Sequence, residues 1–261
     1  MSEVENPILT DRDGQVAIIT LNRPDKFNCI SRGLVDGLNA AMDEVESDAG
    51  IRAVLIRAAG DHFCTGADLD EVLAARQAED TVQEFITRGH MVLRRLENLS
   101  KPVVIAAHGL SLAGGIELAM SGDVLFLSQS GRMGDQHAQF GLIPGWGGTQ
   151  RLARHIGRRR ALDLMYSARW LSSAEALDWG LANYVVDDDA LWDTAMAYAQ
   201  KLTTRSPEGL ATMKSLTLRG LEGTLDAGLS LEEKEAAAAL MTENTEEGLN
   251  AFQERRDPVF K

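Results

Sequence analysis

The sequence predicts a layered α/β core followed by a helical C-terminal region. Two observations carry that expectation. In the first half, apolar runs of strand length alternate with longer stretches whose apolar residues recur at helical spacing. After about residue 149 the strand-like runs give way to helical patterning. Length and composition agree. A chain of 261 residues with 44% hydrophobic content suits one generous domain, or a domain with a small appendage, around a large core.

The elements follow in order. Val16–Leu21 (VAIITL) is a short apolar run of buried-strand type. Asn22–Asn28 is a polar loop punctuated by Pro24. Ser31 caps a helix to about Glu46, with Leu34, Val35, Leu38, Met42 and Val45 on one face. Ala53–Ile56 is a second strand, and Gly60–Asp68 is a loop. Leu69–Arg88 is expected to shape a pocket, and Phe85–Leu99 reads as a helix. Val103–Ala107 and Val124–Leu127 are further strands, separated by a glycine-bearing turn and a helix start at Ile116–Ser121. Gly131–Thr149 reads as one long loop. The division expected is a core over residues 1–200 and a helical region over 201–261.

Charge and composition exclude several function classes. A formal net charge of −13 argues against general binding of nucleic acid or of a membrane surface. The two cysteines, Cys29 and Cys64, form no CxxC and no metal-ligand set. They fit free thiols in a reducing compartment, although a single disulfide stays open. Met1–Pro7 has no apolar run, so no signal peptide is expected. Pro102–Met120, the most apolar stretch, is broken by His108, Glu117 and several small residues, unlike a membrane span. A cytoplasmic location is the expectation.

Three segments are candidates for chemistry. In Phe63-Cys64-Thr65-Gly66-Ala67-Asp68, Gly66 permits a tight turn that aims the Ala67 N–H into a cavity. A plain connecting turn is the alternative. Ala113-Gly114-Gly115-Ile116-Glu117 follows an apolar strand and opens a helix, where unpaired N–H groups favour negative charge. Glu117 lies in an apolar run, and burying it is costly unless it is paired or used. Gly141–Leu152 (GLIPGWGGTQRL) is glycine-rich but is neither a Walker A loop nor a dinucleotide fingerprint.

Taken together, these segments resemble the enoyl-CoA hydratase/isomerase superfamily, the crotonases. The resemblance includes VAIITLNRPDKFN, KPVVIAAHGLSLAGGIELAMSGD, GLIPGWGGTQRL and the ending AFQERRDPVFK. It implies a crotonase-like spiral of ββα units with a helical C-terminal trimerisation region, assembled as a homotrimer or a dimer of trimers. The implied ligand is an acyl-CoA thioester, so coenzyme A is part of the substrate and no separate cofactor or metal is called for.

Residue by residue, the resemblance makes the N–H groups of Ala67 and Gly114 the oxyanion-hole donors. Lys26, Asn28 and Cys29, with the backbone at Asp68 and Leu69, match the adenine-side loop. Arg23 and Lys26 are candidate phosphate partners. Phe260 and Lys261 match C-terminal residues that approach coenzyme A, in some members from a neighbouring subunit. Glu117 matches the first of two glutamates that position a water. The second is expected four residues before Gly141, where this chain has His137. Either the imidazole replaces the carboxylate as acid or base, or His137 is a loop residue without a role; a one-residue offset would bring Asp135 or Gln136 to the cavity instead. Trp146 is expected over the cavity mouth. The implied reaction is hydration of a 2-enoyl-CoA. Thioester hydrolysis, double-bond isomerisation and non-catalytic acyl-CoA binding are the alternatives.

Overall fold

The computed structural model describes residues 6–261. The chain opens with a hairpin, β1 (Ile8–Asp13) and β2 (Val16–Leu21), paired antiparallel with Asp13 opposite Val16. Gly14, at φ +58°, makes the tight turn between them. Helix α1 (Arg32–Ser47) returns the chain to β3 (Ala53–Ala58). Ser31 caps α1 by accepting a hydrogen bond from the Leu34 N–H at 3.1 Å. Next come α2 (Leu69–Ala75), α3 (Glu79–Glu97), β4 (Val103–Ala107), β5 (Leu110–Leu112), α4 (Gly114–Ala119), β6 (Val124–Ser128) and β7 (Arg132–Gly134). A short 3-10 helix, His137–Phe140, precedes α5 (Gly148–Ser167). The remainder is β8 (Trp170–Ser172), α6 (Ser173–Asp178), β9 (Tyr184–Val186), α7 (Leu191–Thr203), α8 (Pro207–Gly220), α9 (Leu225–Ala239) and α10 (Glu243–Glu254).

The main sheet has the order β1-β2-β3-β4-β6-β9, parallel from β2 onward. Parallel strands need crossovers, and the intervening helices supply them. Strands β2, β3, β4 and β6 are largely buried on both faces, which is why they read as continuous apolar runs. Alternate residues divide between two cores. Ile19, Leu21, Val54, Ile56, Val103 and Ile105 join the core beneath α1, α3 and α4. Val16, Ala53, Leu55, Val104 and Phe126 face α7 through Leu191, Ala195 and Ala199. A small second sheet, β5-β7-β8, lies beside the main one.

Several elements depart from the sequence expectation. The third helix begins at Glu79, six residues before Phe85. The glycine turn contains β5, and the long loop contains β7 and the 3-10 helix. β1, β8 and β9 were not expected at all. β8 and β9 have three residues each, too short for a periodicity of two to register.

Candidate active site

The site is built where two glycine backbones meet. Gly66 follows the loop after β3 and takes φ +110°, which L side chains rarely adopt. A Cβ placed on it would lie 3.0 Å from the Ala113 Cβ and 3.4 Å from the Gly114 nitrogen. Bare glycine therefore lets the Cys64–Asp68 segment press against the start of α4. Ala113 holds φ 50°, ψ −116°, a strained state for a residue with a side chain, costing about 1–3 kcal/mol. The strain turns the chain sharply out of β5 and into α4.

This packing brings two backbone donors to one cavity. Ala67 and Gly114 both line a space of about 540 Å³. Among the described residues neither N–H has a hydrogen-bond acceptor within the protein. Gly114 is the first residue of α4 and Ala67 sits just before α2, whose cap is Asp68. Unpaired N–H groups on a cavity wall are suited to an oxygen that gains negative charge.

Glu117 lies on the next turn of α4 and is 1% exposed. Its Oε1 accepts hydrogen bonds from the N–H of Trp146 at 2.9 Å and of Gly148 at 2.7 Å. Both donors come from the GWGG segment. A Cβ on Gly148 would lie 3.1 Å from Glu117 Oε1 and 2.8 Å from Pro144. Burial pushes the Glu117 carboxyl above its ordinary value, and the two N–H donors and the nearby His137 charge only partly offset this.

His137 lines the same cavity. Its Nδ1 is 3.0 Å from Asp135 Oδ1, which also accepts the His137 backbone N–H at 3.2 Å. Asp135 is 0% exposed and faces away behind the ring, and Gln136 donates its side-chain amide to the Ala168 carbonyl. Of the three positions left open by the sequence, only His137 lines the cavity. Burial alone would lower the imidazole pKa, but the hydrogen bond and charge of Asp135, with the charge of Glu117, raise it above its ordinary value.

The rest of the wall is mostly apolar: Val72 and Ala75 from α2, Val82, Phe85 and Ile86 from α3, and Leu142 and Ile143. Trp146 is not over the mouth. It is 4% exposed, 5.5 Å from Phe85 between ring centres, and wedged between Gly89 and Gly114. Its segment is pinned by Arg151, which donates to the Trp146 carbonyl at 2.7 Å and forks onto Glu97 at 3.0 and 2.9 Å. Sequence reasoning missed this clamp and the Asp135 contact. The only signal for the clamp was an arginine just after the glycine-rich loop.

The remaining candidates divide into two groups. Residues 27–30 run alongside 65–68 through the Ile30–Ala67 bridge and the Thr65 N–H to Phe27 carbonyl bond. That places Lys26, Asn28 and Cys29 next to Asp68 and Leu69. Asn28 is buried and ties the loop together through Ala59, His62 and Arg23. Arg23 is committed to Asp68 at 2.8 Å and to the Cys29 carbonyl, so Lys26, paired with Asp70, is the more exposed cation. Burial first, then the Asp68 charge, pushes the Cys29 thiol up to about 11, so it is a poor nucleophile. Phe260 and Lys261 lie elsewhere within this chain. The Phe260 carbonyl accepts from Arg52, just before β3, and Lys261 pairs with Glu243. Among the described residues no group of three or more His, Cys, Asp or Glu is arranged to hold a metal, and no helix is long and apolar enough to cross a membrane.

The profile of the enoyl-CoA hydratase/isomerase family matches residues 11–261. The chain belongs to the enoyl-CoA hydratase/isomerase family. It is 35% identical to a probable enoyl-CoA hydratase of Bacillus subtilis, over 98% of this chain and 99% of that one. It is 34% identical to a short-chain-enoyl-CoA hydratase of Clostridium acetobutylicum, over 96% of each. The crystal structure of an enoyl-CoA hydratase from Bacillus anthracis superposes with a TM-score of 0.93 at 33% identity, covering 98% of this chain and 99% of that one. The α/β core and helical C-terminal region implied by the resemblance are thus the fold of this family.

Proposed function

We propose that this enzyme hydrates 2-enoyl-CoA thioesters, with coenzyme A entering as part of the substrate. The observation that carries the proposal is the pair of unpartnered N–H groups, Ala67 and Gly114, on the cavity that Glu117 and His137 line. The thioester oxygen lies between the two donors. Water adds its oxygen to the β-carbon while the Glu117 carboxylate takes one water proton. The electron pair moves through the α-carbon onto the thioester oxygen, where the two N–H groups hold the enolate. His137, as imidazolium, returns a proton to the α-carbon. Proton exchange with solvent then restores both side chains, so one water is added in total. The raised Glu117 pKa makes it a stronger base than an exposed carboxylate. Relatives named as enoyl-CoA hydratases support the same reaction.

The adenosine end of the substrate is placed along Lys26–Cys29 and Asp68–Leu69. The apolar wall takes the acyl group. Assembly as a trimer or a pair of trimers belongs to the same proposal: α8 and α9 have no buried residue, and Leu221, Leu225, Leu229, Leu240 and Met241 are exposed in the single chain. A cytoplasmic location is proposed on the acidic composition and the free thiols. The reaction is tested by offering purified protein short, long and ring-bearing enoyl-CoAs and following loss of the conjugated thioester absorbance. Turnover of at least one is expected, and absence of turnover across the series contradicts it. Release of free thiol in place of hydration points to thioester hydrolysis.

A further inference from the structure

Asp135 is buried and binds His137 twice, once through the backbone N–H at 3.2 Å and once through Nδ1 at 3.0 Å, both on Oδ1. Its second oxygen, Oδ2, is also buried and has no hydrogen-bond partner. A half-satisfied buried carboxylate is costly. A cap for a 3-10 helix does not require the charge, because a neutral asparagine oxygen accepts a backbone N–H equally well. What only a carboxylate supplies is a counter-charge to an imidazolium.

We propose that Asp135 is a positioning residue, holding His137 as an Nδ1–H donor with Nε2 presented to the reacting carbon, so that the pair does the work of the family's second glutamate with inverted charge. This rests on the hydration reading above. A carboxylate acid is neutral when it is ready to donate, whereas His137 is a cation beside an anion. The geometry fits the change: the glutamate position is taken by His137, and the negative charge moves two residues back to Asp135, behind the ring. The charged groups that face His137 are Asp135 and, from α4, Glu117; Arg76 and Glu79 line the same cavity from the α2–α3 segment. His137 is supported as a cation from both near sides.

Asp135→Asn tests this, since it keeps the cap and removes the charge. The account expects kcat for hydration to fall about 10- to 100-fold with KM nearly unchanged. It also expects the alkaline limb of the pH profile, and the His137 ring titration followed by NMR, to move to lower pH. A purely capping role would leave kcat and the alkaline limb in place, even though loss of a charge 3.0 Å from Nδ1 moves the ring titration. The second arm uses His137→Glu. There Asp135 has no imidazolium to balance, so its charge loses the role proposed for it. Adding Asp135→Asn to His137→Glu is therefore expected to lack the roughly 10- to 100-fold loss that the same substitution causes in the parent. Equal effects of Asp135→Asn in both backgrounds overturn the proposal. So does a His137 titration that stays in place, whereas a titration that moves in an enzyme that hydrates no enoyl-CoA means that it is the hydration reading that fails.

Discussion

Gly114→Ala is the substitution that most sharply separates backbone catalysis from side-chain catalysis. The added Cβ would stand 2.7 Å from the Trp146 ring and 3.3 Å from the Gly66 Cα. Neither neighbour yields easily, because Trp146 is 4% exposed and pinned through Arg151, and Gly66 lies in a tight turn. Carbon contacts relax near 3.5–4.0 Å, so the start of α4 must back away by about 1 Å. That displacement takes the Gly114 N–H off the thioester oxygen without removing any side chain. Loss of one such donor costs roughly 2.7–4 kcal/mol, or about 10²- to 10³-fold in kcat. The assay is enoyl-CoA absorbance under saturating substrate, alongside thermal unfolding to show that the fold persists. A folded variant within about threefold of the parent kcat would refute the role given to this N–H.

Four other outcomes are expected. Glu117→Gln should lose about 10²- to 10⁴-fold in hydration while still binding acyl-CoA, as calorimetry can show. Because Glu117 acts as a carboxylate and burial raises its pKa, activity of the parent enzyme should decline with acid at a pH above the ordinary glutamate range. Arg151→Met leaves Glu97 without its fork and frees the Trp146 carbonyl, so urea unfolding should show a loss of about 3 kcal/mol, the low end for a buried pair because Glu97 is partly exposed. Asp68 is desolvated, which alone would raise its pKa, but Arg23 and the Asp70 N–H hold it below its ordinary value. Its contribution is therefore complete above the ordinary aspartate range and lost as pH falls through the lowered value. Asp68→Asn should be less stable than the parent near neutrality and converge with it in acid.

The motifs brought the Ala67 and Gly114 N–H groups and Glu117 to one cavity legibly because each depends on local backbone: a glycine turn, a helix start, a carboxylate one turn on. The Asp13-Gly14 pair sits at the β1–β2 turn, but β1 (ILTDRD) is mostly polar and exposed along most of its length, so no apolar run marked it as a strand. What pattern could not supply were contacts across distance. Nothing near Asp135 in the sequence says that it lies behind the His137 ring rather than facing the cavity. The Glu97–Arg151 fork spans more than fifty residues. Trp146 was misplaced for the same reason: its burial depends on the missing side chains of Gly89 and Gly114, which belong to other elements.

The most direct test of the account is the identity of the product formed from a short 2-enoyl-CoA in heavy-oxygen water. The account expects an intact thioester that has gained one water, with the heavy oxygen on the β-carbon. Free coenzyme A, or an isomer of unchanged mass, would contradict it.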